Sequence, residues 1–209
     1  MIRILMADDH PVVRKGLVTI LGSEPSFAIV GEAGNAGEVL ALLQSSAVDV
    51  LLMDISMPGT SGLELLPELK RHYPRLPVLI LSQYPESQMA VRAIRSGAQG
   101  YLNKDSAPAE LVQAVKRVYE GKKYVTDSVL DLLAETVQKP GENPHESLSN
   151  RKFRVFCLLA SGKTVSDIGE LLNLSAKTIS TYRTRVLDKL SLRTNADLAR
   201  YAIDHGIPE

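Results

Sequence analysis

The sequence predicts an open α/β sheet of five parallel strands, followed by a smaller unit built only of helices. Three observations carry this expectation. Over the first 120 or so residues, short runs of Val, Ile and Leu alternate with amphipathic stretches; the central runs are apolar almost throughout; and no strand pattern recurs after Leu148.

Ile2–Ala7 is expected as the first strand, and Pro11–Gly22 as the helix after it. Proline suits a first helical turn, where its missing N–H has no partner to lose, and glycine suits a stop. Strands at Phe27–Ala33, Val48–Met53, Val78–Ser82 and Gly100–Asn103 then alternate with helices at Ala36–Gln44, Gly62–His72, Ser87–Ser96 and Ala107–Glu120. Gly97 is read as a further stop. Only Asp49 interrupts the apolar run at Val48–Met53, as befits a strand covered on both faces. Beyond Glu120, Val125–Val137 is predicted as one short helix, and Lys139–Pro144 as a linker because proline, glycine and asparagine crowd it. Helices at Asn150–Ser161, Val165–Leu172, Ala176–Leu190 and Asn195–His205 complete the chain. Thr164, Ser175 and Thr194 stand as N-caps, with Asp167 and Asp197 three residues beyond the first and last; Gly162 and Gly206 stand as stops. The domains expected are 1–121, a connecting segment 122–147 with the short helix, and 148–209.

Overall charge excludes little, since 24 basic side chains balance 24 acidic ones. Its distribution says more. Residues 148–209 hold ten basic against six acidic groups, whereas 1–121 hold 11 against 13 and 122–147 hold three against five. A basic unit behind an acidic one fits nucleic-acid binding, and equally a solvated basic face. No apolar run approaches the ~20 residues that span a bilayer, and Asp8 and Asp9 arrive too early for a signal peptide. The one cysteine, Cys157, lies in a helical apolar pattern that marks a small core residue, and it has no second cysteine to bridge. The chain is expected to be cytoplasmic, with no membrane partner.

Ligands of open parallel sheets bind beyond the carboxyl ends of the strands. Reading those ends in turn yields Asp8-Asp9, Asp54, Ser82 and Lys104. Each taken alone fits a turn former; five together fit one chemistry. Clustered carboxylates repel and are best held by a hard cation with oxygen ligands, which describes Mg²⁺. A carboxylate can attack a phosphoryl group, while lysine and metal neutralise the transferring charge. His10 sits beside the acids, but Mg²⁺ prefers oxygen, so it receives no metal role.

Asp8-Asp9, the stretch Leu51–Gly59 with Gly62, Ser82, and Gly100–Lys104 together resemble a response-regulator receiver domain over residues 1–121. The resemblance implies a flavodoxin-like sheet of order 2-1-3-4-5. It implies Asp54 as phosphoacceptor, and Asp8, Asp9, Asp54 and the Ser56 backbone carbonyl as the Mg²⁺ site. It also implies Lys104 as the phosphoryl contact, and Ser82 and Tyr101 as switch residues. Read without the resemblance, Tyr101 also fits an ordinary half-buried strand aromatic. Asp105 departs from the proline that many receivers carry after the lysine.

In the basic unit, Ile179, Tyr182, Val186 and Leu190 recur at helical spacing and define an inward face. Lys177, Ser180, Thr181, Thr184 and Arg185 then face outward, a mixture of cations and short hydrogen-bonding groups that suits a DNA groove. Leu148–Arg151, Leu158–Gly162, Ile168, Leu171-Leu172, Leu174–Ile179 and Lys189-Leu190 resemble the LuxR-type helix-turn-helix over 148–207. Joined to a receiver, this resembles the NarL/FixJ family of two-component response regulators. The resemblance implies a tetrahelical domain, base-facing Ser180, Thr181 and Thr184, and phosphate contacts at Lys177, Thr178, Arg183 and Arg185. Lys152, Gly169 and Tyr182 depart from the usual acid, alanine and histidine.

The expectation is therefore a DNA-binding transcription regulator rather than an enzyme. A sensor histidine kinase would phosphorylate it, it would form a homodimer once phosphorylated, and it would bind double-stranded DNA. Two rivals are a dimeric regulator that works without phosphorylation and an aspartyl-phosphate hydrolase. Ile55 and Ser56 after Asp54, and no visible cap insertion, weigh against the hydrolase.

Overall fold

The computed structural model describes residues 1–84, 86–138 and 143–207, which fall into two units, Met1–Leu132 and Leu133–Glu209. In the first unit β1 (Ile2–Ala7), β2 (Phe27–Ala33), β3 (Val50–Asp54), β4 (Val78–Ser82) and β5 (Gly100–Asn103) form one sheet of order β2-β1-β3-β4-β5. Every neighbouring pair is parallel. Helices α1 (Pro11–Gly22), α2 (Ala36–Ser45), α3 (Gly62–His72), α4 (Glu86–Arg95) and α5 (Pro108–Tyr119) connect the strands. β3 and β4 are buried at every position, as central strands covered on both faces must be. The expected doubly wound sheet is thus the observed one.

β3 starts two residues later than predicted and runs one further. Asp49 is withdrawn from the strand by Arg3, whose backbone N–H and guanidinium both donate to its carboxylate, at 2.8, 2.9 and 2.7 Å. Asp54 becomes the last strand residue, in register with Leu81 of β4. Gly22 is the last residue of α1, as expected. It ends α1 without a left-handed turn, and Ser23 caps the helix with φ of −75°.

The free edge of β5 is covered by the segment expected to be linker. Tyr124 forms a parallel bridge with Gly100, its N–H donates to the Gln99 carbonyl at 3.1 Å, and its own carbonyl accepts from the Tyr101 N–H at 3.0 Å. Pairing there shortens the exposed edge of β5. Thr126 Oγ1 then donates to Glu86 at the start of α4, 2.5 Å away. The helix α6 (Asp127–Gln138) begins two residues later than predicted, and Val129 is wholly buried.

In the second unit α7 (Asn150–Ala160), α8 (Val165–Leu172), α9 (Ala176–Leu190) and α10 (Asn195–Asp204) enclose Phe153, Phe156, Ile168, Ile179, Val186 and Leu198. Thr164 and Thr194 close capping boxes with Asp167 and Asp197, as the spacing predicted. Of the predicted linker, residues 139–142 lie outside the described residues. Pro144–Ser147 form a 3-10 turn, and His145 Nδ1 lies 3.0 Å from Tyr201 Oη of α10. Cys157 is half-buried rather than part of the core. No helix among the described residues is long and apolar enough to cross a membrane.

Candidate functional site: an acidic pocket and a basic helix

Parallel register delivers the strand ends to one edge of the sheet, and with them Asp8, Asp9, Asp54, Ser82 and Lys104. Asp8, Asp54 and Ser82 are buried. Lys104 Nζ reaches Asp8 Oδ2 at 2.7 Å and Asp54 Oδ2 at 2.9 Å, with its own side chain 7% exposed. One ammonium thus stands between two buried carboxylates. Burial pushes the Asp54 carboxyl above its ordinary range against the opposing pull of Lys104, while the neighbouring Asp8 charge pushes the same way as burial. Burial would lower the Lys104 ammonium, but the hydrogen bond to Asp8 and the Asp54 charge outweigh it and hold it high. Lysine stays charged; Asp54 is poised against it.

The backbone completes the pocket. The Ser56 N–H bonds the Asp54 carboxylate, the His10 N–H donates to Asp8 Oδ1 at 2.8 Å, and Arg14 Nη1 donates to the Asp8 carbonyl. Gly62 lets the first turn of α3 approach the end of β3. A Cβ there would stand 2.2 Å from the Asp54 carbonyl oxygen, so only glycine fits. His10, given no role from sequence, joins the constellation: its Nδ1 lies 2.9 Å from Asp9 Oδ1. Ligand atoms of Asp8, Asp9, His10 and Asp54 all fall within 4.8 Å of one another. Its adjacency to the acid pair was the available signal.

Three carboxylates around one hollow form a hard, oxygen-rich donor set, which fits a small divalent cation. Behind it, Tyr101 is 1% exposed and turned inward, with Oη donating to the Tyr84 carbonyl at 2.7 Å. The Tyr84 N–H donates in turn to Ser82 Oγ at 3.1 Å. Burial raises the Tyr101 phenol well above its ordinary pKa, so it stays a donor. The half-buried reading of this residue does not describe it.

On α9, Ile179, Val186 and Leu190 face the core and Tyr182 is half-buried. Lys177, Ser180, Thr181, Thr184 and Arg185 are exposed, as the periodicity predicted. Two side chains differ from a freely exposed phosphate contact. Arg183 is half-buried, and its Nε donates to Asn195 Oδ1 of α10 at 2.7 Å. Thr178 Oγ1 lies 2.8 Å from the capping Ser175 hydroxyl. The first turn of α9 carries no acid, whereas those of α8 and α10 carry Asp167 and Asp197. Gly169 accounts for the tight turn before α9, since a Cβ there would meet the Leu174 carbonyl oxygen at 2.8 Å.

Residues 4–116 match the response regulator receiver domain family, and residues 146–202 match the bacterial regulatory proteins of the luxR family. The response regulator UvrY of Escherichia coli is 36% identical over 209 residues, covering 99% of this chain and 96% of UvrY. The response regulator GacA of Pseudomonas aeruginosa is 34% identical, covering 99% and 98%. A solved structure of RcsB from Salmonella enterica serovar Typhimurium, bound to a promoter in the presence of phosphomimetic BeF3-, is 28% identical with a TM-score of 0.69, covering 96% and 97%. An acidic strand-end pocket in one unit, an exposed basic helix in the other, and relatives matched over nearly their whole length identify this chain as a member of the NarL/FixJ family of response regulators, a DNA-binding transcriptional regulator of a two-component system.

Proposed function

We propose that Asp54 accepts a phosphoryl group from the phosphohistidine of a sensor histidine kinase, and that the phosphorylated chain binds double-stranded DNA as a homodimer. An Asp54 carboxylate oxygen attacks phosphorus, the P–N bond breaks, and the imidazole leaves as neutral histidine after taking up a proton. The observation that carries this reading is the buried Asp54 carboxylate held 2.9 Å from Lys104 at the end of the central strand. Lys104 stays charged and meets the phosphoryl oxygens as charge moves onto them. Ser82, at the end of β4, has a hydroxyl proton to donate to the same group.

Asp8, Asp9, Asp54 and the Ser56 carbonyl would hold Mg²⁺, whose bound charge offsets the repulsion among the carboxylates and the incoming phosphoryl group. Residues 1–121 act as the phosphoacceptor domain and residues 148–209 as the DNA-binding domain. Because the target is DNA, the chain works in the cytoplasm. Lys177 and Arg185 contact phosphates, while Ser180, Thr181 and Thr184 meet base edges. Thr178 and Arg183 act from the flanks of the same helix, Thr178 beside the capping Ser175 hydroxyl and Arg183 through its bond to Asn195 of α10. The RcsB structure, bound to a promoter in the presence of phosphomimetic BeF3-, supports DNA binding by a phosphorylated form of this chain. The pocket serves as a switch, not a hydrolase: Asp54 is followed by buried Ile55 and by Ser56, so no carboxylate stands there for acid–base work.

The experiment is intact mass spectrometry of wild type and Asp54→Asn after treatment with acetyl phosphate and Mg²⁺. Wild type should gain one phosphoryl adduct and the variant none. Equal adducts on both proteins overturn the assignment.

A further inference from the structure

Thr181 and Thr184 lie on the exposed face of α9, and both hydroxyl groups have already spent their proton. Thr181 Oγ1 donates to the Lys177 carbonyl at 3.0 Å, and Thr184 Oγ1 donates to the Ser180 carbonyl at 3.1 Å. A threonine hydroxyl has one proton to give and two lone pairs to accept with. Toward solvent each side chain therefore offers only lone pairs and a methyl group. In a helix threonine divides between two χ1 wells because its Oγ1 can bond a carbonyl one turn back, and the bonds to Lys177 and Ser180 favour the well that gives this presentation.

We propose that Thr181 and Thr184 act as acceptor-and-methyl readers that select A·T over G·C base pairs. This rests on the reading of α9 as the helix that enters the DNA groove. In the major groove an A·T pair shows the adenine N6 amine, which donates, and the thymine methyl, which packs against another methyl. Both pairs show two acceptors and one amine, but a G·C pair places the guanine O6 acceptor where adenine has its amine, so that it repels a hydroxyl lone pair set over the purine, and it has no methyl. The same logic excludes phosphate, whose oxygens only accept, so these threonines read bases and do not merely position the helix. Two residues three apart are separated by about 4.5 Å along a helix axis. Base pairs rise about 3.4 Å. The two threonines thus address neighbouring base pairs, and a two-fold dimer repeats that A·T step once in each half-site.

The test uses the full-length chain with Mg²⁺ and beryllofluoride and a library of randomised duplexes. Wild type, Thr181→Val, Thr184→Val, Thr181→Ser and Lys177→Ala are each used to select sites, with circular dichroism melts to confirm folding. Valine keeps the methyl and removes the oxygen; serine does the reverse. The pairs whose selectivity relaxes in the valine variants should be adjacent A·T pairs in the wild-type site. Exchanging either for G·C should weaken wild-type binding about tenfold. Replacing thymine by uracil at the pair Thr181 reads should weaken wild type but leave Thr181→Ser indifferent. If those pairs prove to be G·C, or if the threonine variants select as wild type does while Lys177→Ala weakens binding to all duplexes, the inference falls and α9 remains the DNA-contacting helix. If no variant on α9, Lys177→Ala included, changes either affinity or selection, the reading of α9 falls and takes the inference with it.

Discussion

The Tyr101 N–H donates to the Tyr124 carbonyl at 3.0 Å, so the chain leaving the receiver is zipped to β5 beside the buried Tyr101 side chain. Tyr124 is packed against the sheet core, and a Cβ at Gly100 would stand 2.8 Å from the Tyr124 carbonyl oxygen. Tyr124 is thus tied to the sheet edge by a bridge at Gly100. Hydrogen–deuterium exchange should therefore find the Tyr101 and Tyr124 amides protected by on the order of a hundredfold or more. Exchange of Tyr124 at the rate of an unstructured peptide would show that the bridge does not persist.

Asp54→Asn should stabilise the protein at neutral pH without divalent cations. Burial raises the Asp54 carboxyl, so its charged form costs folding free energy, and Lys104 keeps its 2.7 Å partner Asp8 in the variant. A rise in Tm of a few degrees, equivalent to about 1 kcal/mol, is expected. A raised folded-state pKa harms stability only above the ordinary carboxylate value, so the difference should vanish as pH falls toward about 3.9. Mg²⁺ at a hundredfold over its Kd should add about 2.7 kcal/mol to wild type and much less to the variant. Differential scanning calorimetry with and without Mg²⁺ checks both statements.

Asp49→Asn should act with the opposite pH dependence. The Arg3 hydrogen bond holds the Asp49 carboxyl below its ordinary range, and this outweighs the effect of burial. A depressed folded-state pKa contributes stability above about 3.9, which is lost as pH falls through the depressed value. The Arg3 side chain is 46% exposed, so solvent screens the pair and the cost at pH 7 is about 1 kcal/mol or less. Urea titrations at pH 7 and pH 3 should show that cost shrinking at the lower value.

Gly169→Ala sets helix propensity against close approach. Alanine in a helix interior is favoured over glycine by about 1 kcal/mol. Here its Cβ meets the Leu174 carbonyl oxygen, a backbone atom, at 2.8 Å, so the turn must open. The net result should be destabilisation of about 1–3 kcal/mol, with weaker DNA binding because α9 is re-aimed. Thermal melts and fluorescence anisotropy separate the two effects; a more stable variant with unchanged DNA affinity would contradict the close approach.

Arg183 and Asn195 should be coupled in stability, without DNA present. The 2.7 Å bond from Nε ties α9 to the start of α10. A double-mutant cycle with Arg183→Ala and Asn195→Ala should give a coupling energy of about 1 kcal/mol. Additive costs would show that this bond contributes no coupling between α9 and α10.

Most element borders could be read from the sequence because local signals and burial agree there. Pro11, Thr164, Ser175 and Thr194 sit at helix starts, and Gly162 and Gly206 adopt the positive φ that a helix stop requires. Strand ends could be read too, and parallel order then carries Asp8, Asp54, Ser82 and Lys104 to one edge. Periodicity, however, reports which face of an element is apolar, not which partner a polar group finds. Arg3 takes Asp49 from 46 residues away and shortens β3, a pairing that exists only once β1 lies beside β3. The same holds for Tyr124, whose composition reads as linker but whose backbone meets an unpaired sheet edge, and unpaired buried backbone groups are costly. Arg183 likewise looks like a groove-facing cation until α10 brings Asn195 within reach. The sequence by itself thus determined the fold, the order of the strands and the chemical character of both sites. Only the tertiary structure decided which charges neutralise each other and which residues leave the linker for the sheet, because those depend on contacts between segments far apart in the chain.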